Sequence, residues 1–197
     1  MINNFNKSSN YLQLDQIVAG VMPNDSNIEF VGIKKTKQVL WLQNGSNHYF
    51  SDLPSEYLQL IKEEYLKWPK AIAFLSNITS SFPRQLELFT YYMYGNLDTR
   101  PDIANGKLSF PDNFRDTRNC PSLLWNCKNI TIDGYVLDQR ELLITDMFFD
   151  DVPDKTIARA LNISESYLND IKSKMYRNTG VQTKVAYMRK AIQQQAV

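Results

Sequence analysis

The side chains best arranged for chemistry lie between Ser164 and Lys184. Leu168, Ile171 and Met175 recur at i, i+3 and i+7, the spacing of one apolar helix stripe. Ser166, Asn169, Asp170, Ser173, Lys174 and Arg177 then fall on the opposite side. Amides, hydroxyls, a carboxylate and cations on one face suit a helix laid into the DNA major groove. Asparagine pairs bidentately with adenine, a carboxylate accepts from the cytosine amine, and lysine or arginine holds phosphates. Other reactive residue types are poorly placed. His48 has no second His or Cys at ligand spacing, so no metal site is expected. Cys120 and Cys127 lack a nearby histidine partner, which argues against a thiol nucleophile. Glu63 and Glu64 are adjacent on a helical pattern and point about 100° apart, as on a solvated face. The seven glycines are scattered and make no phosphate-cradling loop. Neither an enzyme activity nor a cofactor is expected.

The elements around this face read as a series of short helices. A helix over Asp138–Asp150 would bury Leu143, Ile144, Met147 and Phe148. Pro153-Asp154 starts a second helix that turns Ile157, Ala158 and Leu161 inward, and the small Ala158 permits a close helix crossing. Asn162 suits the left-handed turn that follows. Ile163 plugs that turn, and Ser164 caps the third helix. Asn178-Thr179-Gly180 ends it, Thr183 caps a fourth, and Val185, Met188 and Ile192 give the fourth an apolar stripe.

The ordered set Leu137-x-x-Arg140-Glu141, Lys155-x-Ile157-Ala158-x-x-Leu161-x-Ile163-Ser164 and Gly180-Val181-x-Thr183-Lys184 resembles the LuxR-type (GerE-like) helix-turn-helix domain of bacterial transcription regulators. The match covers about the last sixty residues without gaps. The resemblance implies an all-α four-helix DNA-binding domain with Glu165–Arg177 as recognition helix. It implies Asn169, Asp170 and Ser173 at base-facing positions, and Ser166, Lys172, Lys174, Arg177 and Lys184 beside phosphates. It also implies a homodimer, since the fourth helix often forms the dimer contact in that family. Two departures stand out. Leu168-Asn169-Asp170-Ile171 replaces the common Val-Lys-x-His, and Asp151 replaces a frequent glycine before an unusual Pro153.

Charge supports a division of the 197 residues. Residues 1–136 balance 13 basic against 13 acidic side chains, 137–158 carry net −4, and 159–197 carry net +5. A basic surface next to an acidic one is more telling than the total of +1. The expected fold class is α+β. An N-terminal mixed domain (1–97) has a hairpin of Ile28–Ile33 and Lys37–Gln43, a third run at His48–Phe50, and helices. The first helix is capped by Ser51 or Asp52 and reaches Trp68. Pro69 and Pro83 open two more, and the last presents Phe89, Tyr92 and Met93 as core before Gly95. Residues 98–136 form an extended connector, partly pinned by Phe110, Phe114, Leu123, Leu124 and Trp125, with a short hairpin around Asp133-Gly134. Residues 137–197 form the helical domain. The first 136 residues resemble neither a receiver domain nor a homoserine-lactone sensor.

The longest stretches free of Asp, Glu, Lys and Arg, Gln38–Ser51 and Ala71–Pro83, are too short for a membrane span. Met1–Lys7 lacks a secretory signal pattern. Spacing permits a bridge between the two cysteines, but they are too few for a disulfide framework. Two reduced thiols in a cytoplasmic protein are expected. Double-stranded DNA is the expected partner of a sequence-specific transcription regulator whose N-terminal domain dimerises, senses, or binds a protein partner. A protein-interaction or assembly factor of a phage or mobile-element nucleoprotein complex, repurposing the helical domain, is the alternative.

Overall fold

The computed structural model describes residues 17–197; the stretch Met1–Lys7, read above for a targeting signal, lies outside them. The described chain is mixed α+β, with seven α-helices and three small antiparallel sheets. Strand β1 (Glu29–Ile33) pairs with β2 (Gln38–Gln43), and β2 with β3 (Ser46–Tyr49). Phe30, Val39 and Trp41 are buried, as period-two alternation requires for one covered face. His48 stacks on Trp41 with ring centroids 4.3 Å apart.

Helices α1 (Ser55–Tyr65), α2 (Pro69–Ile78) and α3 (Phe82–Tyr94) complete this layer. The expected cap at Ser51 or Asp52 is a correction. Those residues lie in a 3-10 turn, Phe50–Asp52, and α1 starts after Pro54 with no side-chain cap. Burial of Phe50 pulls that turn into the core, so the chain leaves it through Leu53-Pro54 before the helix opens. Helix α3 packs on β1 and β2 on one side and on α1 and α2 on the other. Phe89, Tyr92 and Met93 are therefore core, and each fully buried side chain of this size contributes roughly 1.5–3 kcal/mol. Gly95 follows α3 at a position that takes only glycine, since a Cβ there would lie 2.4 Å from the Tyr91 carbonyl oxygen.

The stretch after α3 is more than a connector. Ile103 bridges to Ile28, and β4 (Ile103–Ala104) pairs with β5 (Lys107–Leu108). Phe114, Cys120 and Trp125 join Ile103 in the first core, while Phe110 and Leu124 are exposed. Of the residues expected to pin it, Phe114 and Trp125 do so most fully. A second core begins at Ile130. Strands β6 (Thr131–Ile132) and β7 (Tyr135–Val136) then form the expected hairpin, with Asp133 and Gly134 both left-handed at φ 50° and 77°, as a two-residue type I′ turn demands.

Helices α4 (Gln139–Phe149), α5 (Asp154–Ala160), α6 (Glu165–Asn178) and α7 (Lys184–Gln193) enclose that second core. Asp138 and Glu141 cap α4 reciprocally, each side chain accepting from the other's backbone N–H. Two apolar stripes need correction. In α4 Leu142, Ile144 and Phe148 are buried and Leu143 is exposed. In α7 the buried residues are Tyr187 and Ala191, whereas Val185 and Ile192 are 72% and 53% exposed. The Tyr187 hydroxyl meets the Thr145 hydroxyl at 2.7 Å inside the core. With its ring packed on Phe148 and Tyr176, Tyr187 faces the core while Val185 and Ile192 face out.

The two halves meet through residues 113–118. Asn113 donates to the Thr131 and Gln194 carbonyls, each at 2.7 Å. Arg115 grips both carboxylate oxygens of Asp146 at 3.0 and 2.7 Å and donates to the Ala196 carbonyl. Arg118 pairs bidentately with Asp150 nearer the surface. No helix among the described residues is long and apolar enough to cross a membrane.

Candidate nucleic-acid interface

Helix α6 is held in place from behind. Leu168, Ile171 and Met175 are buried. Ser164 accepts from the Tyr167 N–H at 3.1 Å, and Asn162 takes the left-handed conformation at φ 55° in the turn from α5. Both locally readable devices, the cap and the asparagine turn, set the angle at which α6 leaves α5.

The outer face carries Ser166, Asn169, Asp170, Ser173, Lys174 and Arg177, all exposed. Among the described residues, every hydrogen bond and ion pair between residues 17–130 and the helical unit ends within 131–150 or on the 194–196 tail; none reaches Glu165–Asn178. Helix α6 thus stands clear of the protein's own first half. Ser173 donates its hydroxyl hydrogen to the Asn169 carbonyl at 2.8 Å, so toward solvent it offers acceptor lone pairs. The Asn169 amide donates no hydrogen bond to the described residues, while its Oδ1 lies 3.4 Å from the Lys172 ammonium.

The cations divide into two groups. Lys172 pairs with Asp154 at 2.5 Å, Lys174 with Glu141 at 3.0 Å, and Lys184 with Asp151 at 3.3 Å. Hydrogen bonds to Glu141 and then Tyr135 hold the Lys174 ammonium above the usual lysine range. Three of the four cations expected beside phosphates therefore face carboxylates of their own chain. Arg177 makes no ion pair among the described residues, and neither do Lys155, Arg159 and Arg189. Lys155 and Arg159 were missed by motif reasoning. They sit four apart on α5, exposed and opposite the buried Ile157, so their helical spacing alone could have found them.

A second missed group flanks α6. The Arg140 guanidinium donates to the Tyr167 hydroxyl at 3.3 Å and lies 5.9 Å from its ring centre. With Asp138, Leu143, Asp170 and Lys174 these residues line an open cleft of ≈ 760 Å³ between α4 and α6. Asp170 thus looks onto a cation-bearing recess as well as outward.

The turn between α4 and α5 holds Asp151 in a backbone conformation that favours glycine. That residue is left-handed at φ 54°, with its side chain almost wholly exposed. A glycine there avoids the Cβ strain that an L-residue meets in this region. Asp151→Gly is expected to stabilise the fold by roughly 1 kcal/mol, read as a higher urea midpoint at unchanged slope. It also removes the carboxylate facing Lys184.

Comparison with protein families, with curated proteins and with solved structures found no match.

Proposed function

We propose that this chain is a sequence-specific DNA-binding transcription regulator whose α5–turn–α6 segment is a LuxR-type helix-turn-helix. The observation that carries the reading is the exposed polar face of α6, anchored by three buried apolar residues and unobstructed by residues 17–130. In this reading α6 enters the major groove. Asn169, Asp170 and Ser173 discriminate bases, while Arg177, Lys155 and Arg159 hold phosphates. Lys172, Lys174 and Lys184 join only if phosphate displaces their carboxylates. Lys184 is the readiest, because Asp151 is so exposed and such surface pairs are worth only about 0–1 kcal/mol. The outward Val185 and Ile192 of α7 supply an apolar strip for a homodimer. The site of action is the cytoplasm.

Electrophoretic shift and anisotropy measurements across salt test this. Selection from a random duplex library with the full chain is expected to return a palindromic site, the mark of a symmetric dimer. Arg177→Ala is expected to weaken binding to all duplexes alike and to reduce the salt slope by about 0.9. Asn169→Ala is expected to relax preference at one base position by about 1–3 kcal/mol. Asp151→Gly is expected to steepen the slope by releasing Lys184. No shift of any duplex at low salt by the folded protein would overturn the proposal.

The internal pairing of three lysines favours one second reading, that of an assembly factor whose helical unit binds protein. Partner capture that survives Arg177→Glu while DNA binding stays undetectable selects that reading over the first.

A further inference from the structure

A second cleft, of ≈ 570 Å³, lies between the segment 100–113 and the hairpin that leads into α4. That volume is within the usual range for small-molecule sites, about 300–1,000 Å³. Its wall includes Phe110, Pro111 and Val136, and its polar groups include Arg100 and Asp112. Phe110 is 94% exposed, an unfavourable position for a phenyl ring unless something covers it.

Two charged groups of opposite sign reach this cleft without being satisfied by one another. Asp112 is only 6% exposed. Its Oδ2 accepts from the Asn96 backbone N–H at 3.2 Å, and its Oδ1, which accepts no hydrogen bond from the described residues, is not sealed from solvent. The Arg100 guanidinium is largely exposed, and its nearest carboxylate, Asp98, is 3.8 Å away, beyond hydrogen-bonding distance. A wholly anionic ligand would confront Asp112, and a wholly cationic one would confront Arg100. A molecule bearing both charges satisfies the two, with the planar guanidinium matched to a carboxylate.

We propose that this cleft binds a small zwitterion of the α-amino-acid class, with its carboxylate on Arg100, its ammonium on Asp112 and its side chain against Phe110 and Val136. The cleft exceeds the size of a bare amino-acid backbone and leaves room for a large side chain. Its walls also matter to the assembly. Asn113, which lines the cleft, is the residue that bonds Thr131 and Gln194 across the two halves. An occupant therefore bears directly on how the halves are held.

Proton release accompanies such binding. Burial and then the neighbouring Asp98 carboxylate push the Asp112 carboxyl up to about 7, against the pull of Lys128 and Arg100. Glu29, Asp102 and Tyr94 are the other titratable groups that feel it. The ligand ammonium selects the ionised form, so affinity rises between pH 6 and pH 8.

The test uses the full chain without DNA, so it succeeds or fails independently of the DNA reading. The twenty common L-amino acids are screened singly by thermal shift. The best of them is titrated by calorimetry beside the amine lacking its carboxylate and the acid lacking its amine. The expected result is saturable binding of the amino acid, with both analogues weaker by about tenfold or more, a difference of about 1.4 kcal/mol. Arg100→Ala and Asp112→Asn are each expected to weaken it similarly, and Asp112→Asn to remove its rise with pH. No thermal shift or saturable heat from any amino acid up to about 10 mM, weaker than any useful site, overturns the proposal. Equal binding of either analogue, or unchanged binding by Arg100→Ala, overturns it too. Arg100 is a surface residue, so its variant decides the matter even if Asp112→Asn fails to fold.

Discussion

Asp146→Ala is expected to cost about 3–5 kcal/mol of stability, the usual penalty for removing one partner of a buried ion pair. Arg115 and Asp146 are 4% and 7% exposed, joined by two hydrogen bonds, at the junction of the two cores. Taking the carboxylate away leaves a guanidinium that is only 4% exposed without its counter-ion. Among the described residues only the Ala196 carbonyl remains to it, and its Nε already lacks a partner there. The pair itself is not a large net gain, because desolvating both ions offsets most of their attraction. Replacing both residues with leucine is therefore expected to recover most of what the single variant loses. Urea denaturation checks this. A loss below about 1 kcal/mol for Asp146→Ala would mean that the pair is effectively solvated. Because the pair joins the halves, the single variant is also expected to broaden the transition as the two cores separate.

Glu29→Gln is expected to remove much of a marked fall in stability between pH 5.5 and pH 8. Glu29 is 1% exposed. Burial pushes its carboxyl up to about 9, the Asp98 N–H pulling it down and the Asp98 and Asp112 carboxylates pushing it further up. The folded chain thus holds a proton that the unfolded chain releases near the ordinary glutamate value. The stabilisation is complete below about 4.5 and is lost as pH rises toward 9. Over 2.5 pH units this amounts to at most about 3 kcal/mol. Asp102, raised by burial and by Asp112 and Glu29, adds to the fall. Lys128 runs the other way. Burial lowers its ammonium to about 8, so its contribution returns only between pH 8 and its ordinary value. Glutamine keeps an acceptor for the Asp98 N–H, which lies 2.7 Å from Glu29 Oε1, and carries no charge at any pH. Equal urea midpoints for the wild-type chain at both pH values, or an undiminished fall in Glu29→Gln, would refute this assignment.

The features legible from the chain alone share one property: neighbours along the sequence decide them. The Ser164 and Thr183 caps, the left-handed Asn162 and the Asp133-Gly134 turn all form among residues within about four positions of each other. The same holds for the buried stripe Leu168, Ile171 and Met175, whose spacing admits only one inward face. The polar face of α6 follows from that stripe by exclusion.

What only the tertiary structure decided depends on partners far away in sequence. Val185, Met188 and Ile192 make as good a stripe as Tyr187 and Ala191. Tyr187 finds its partners far off in sequence, in the Thr145 hydroxyl forty-two residues earlier and in the rings of Phe148 and Tyr176. Four cations look alike on paper, yet Lys172, Lys174 and Lys184 meet carboxylates supplied by other elements while Arg177 meets none among the described residues. The stretch after Gly95 shows no periodicity, because its Ile103, Phe114 and Trp125 are buried singly against strands and helices already in place. A periodic pattern reports an element that buries one face along its length. A charge or an isolated apolar residue acquires its meaning only from what the folded chain brings beside it.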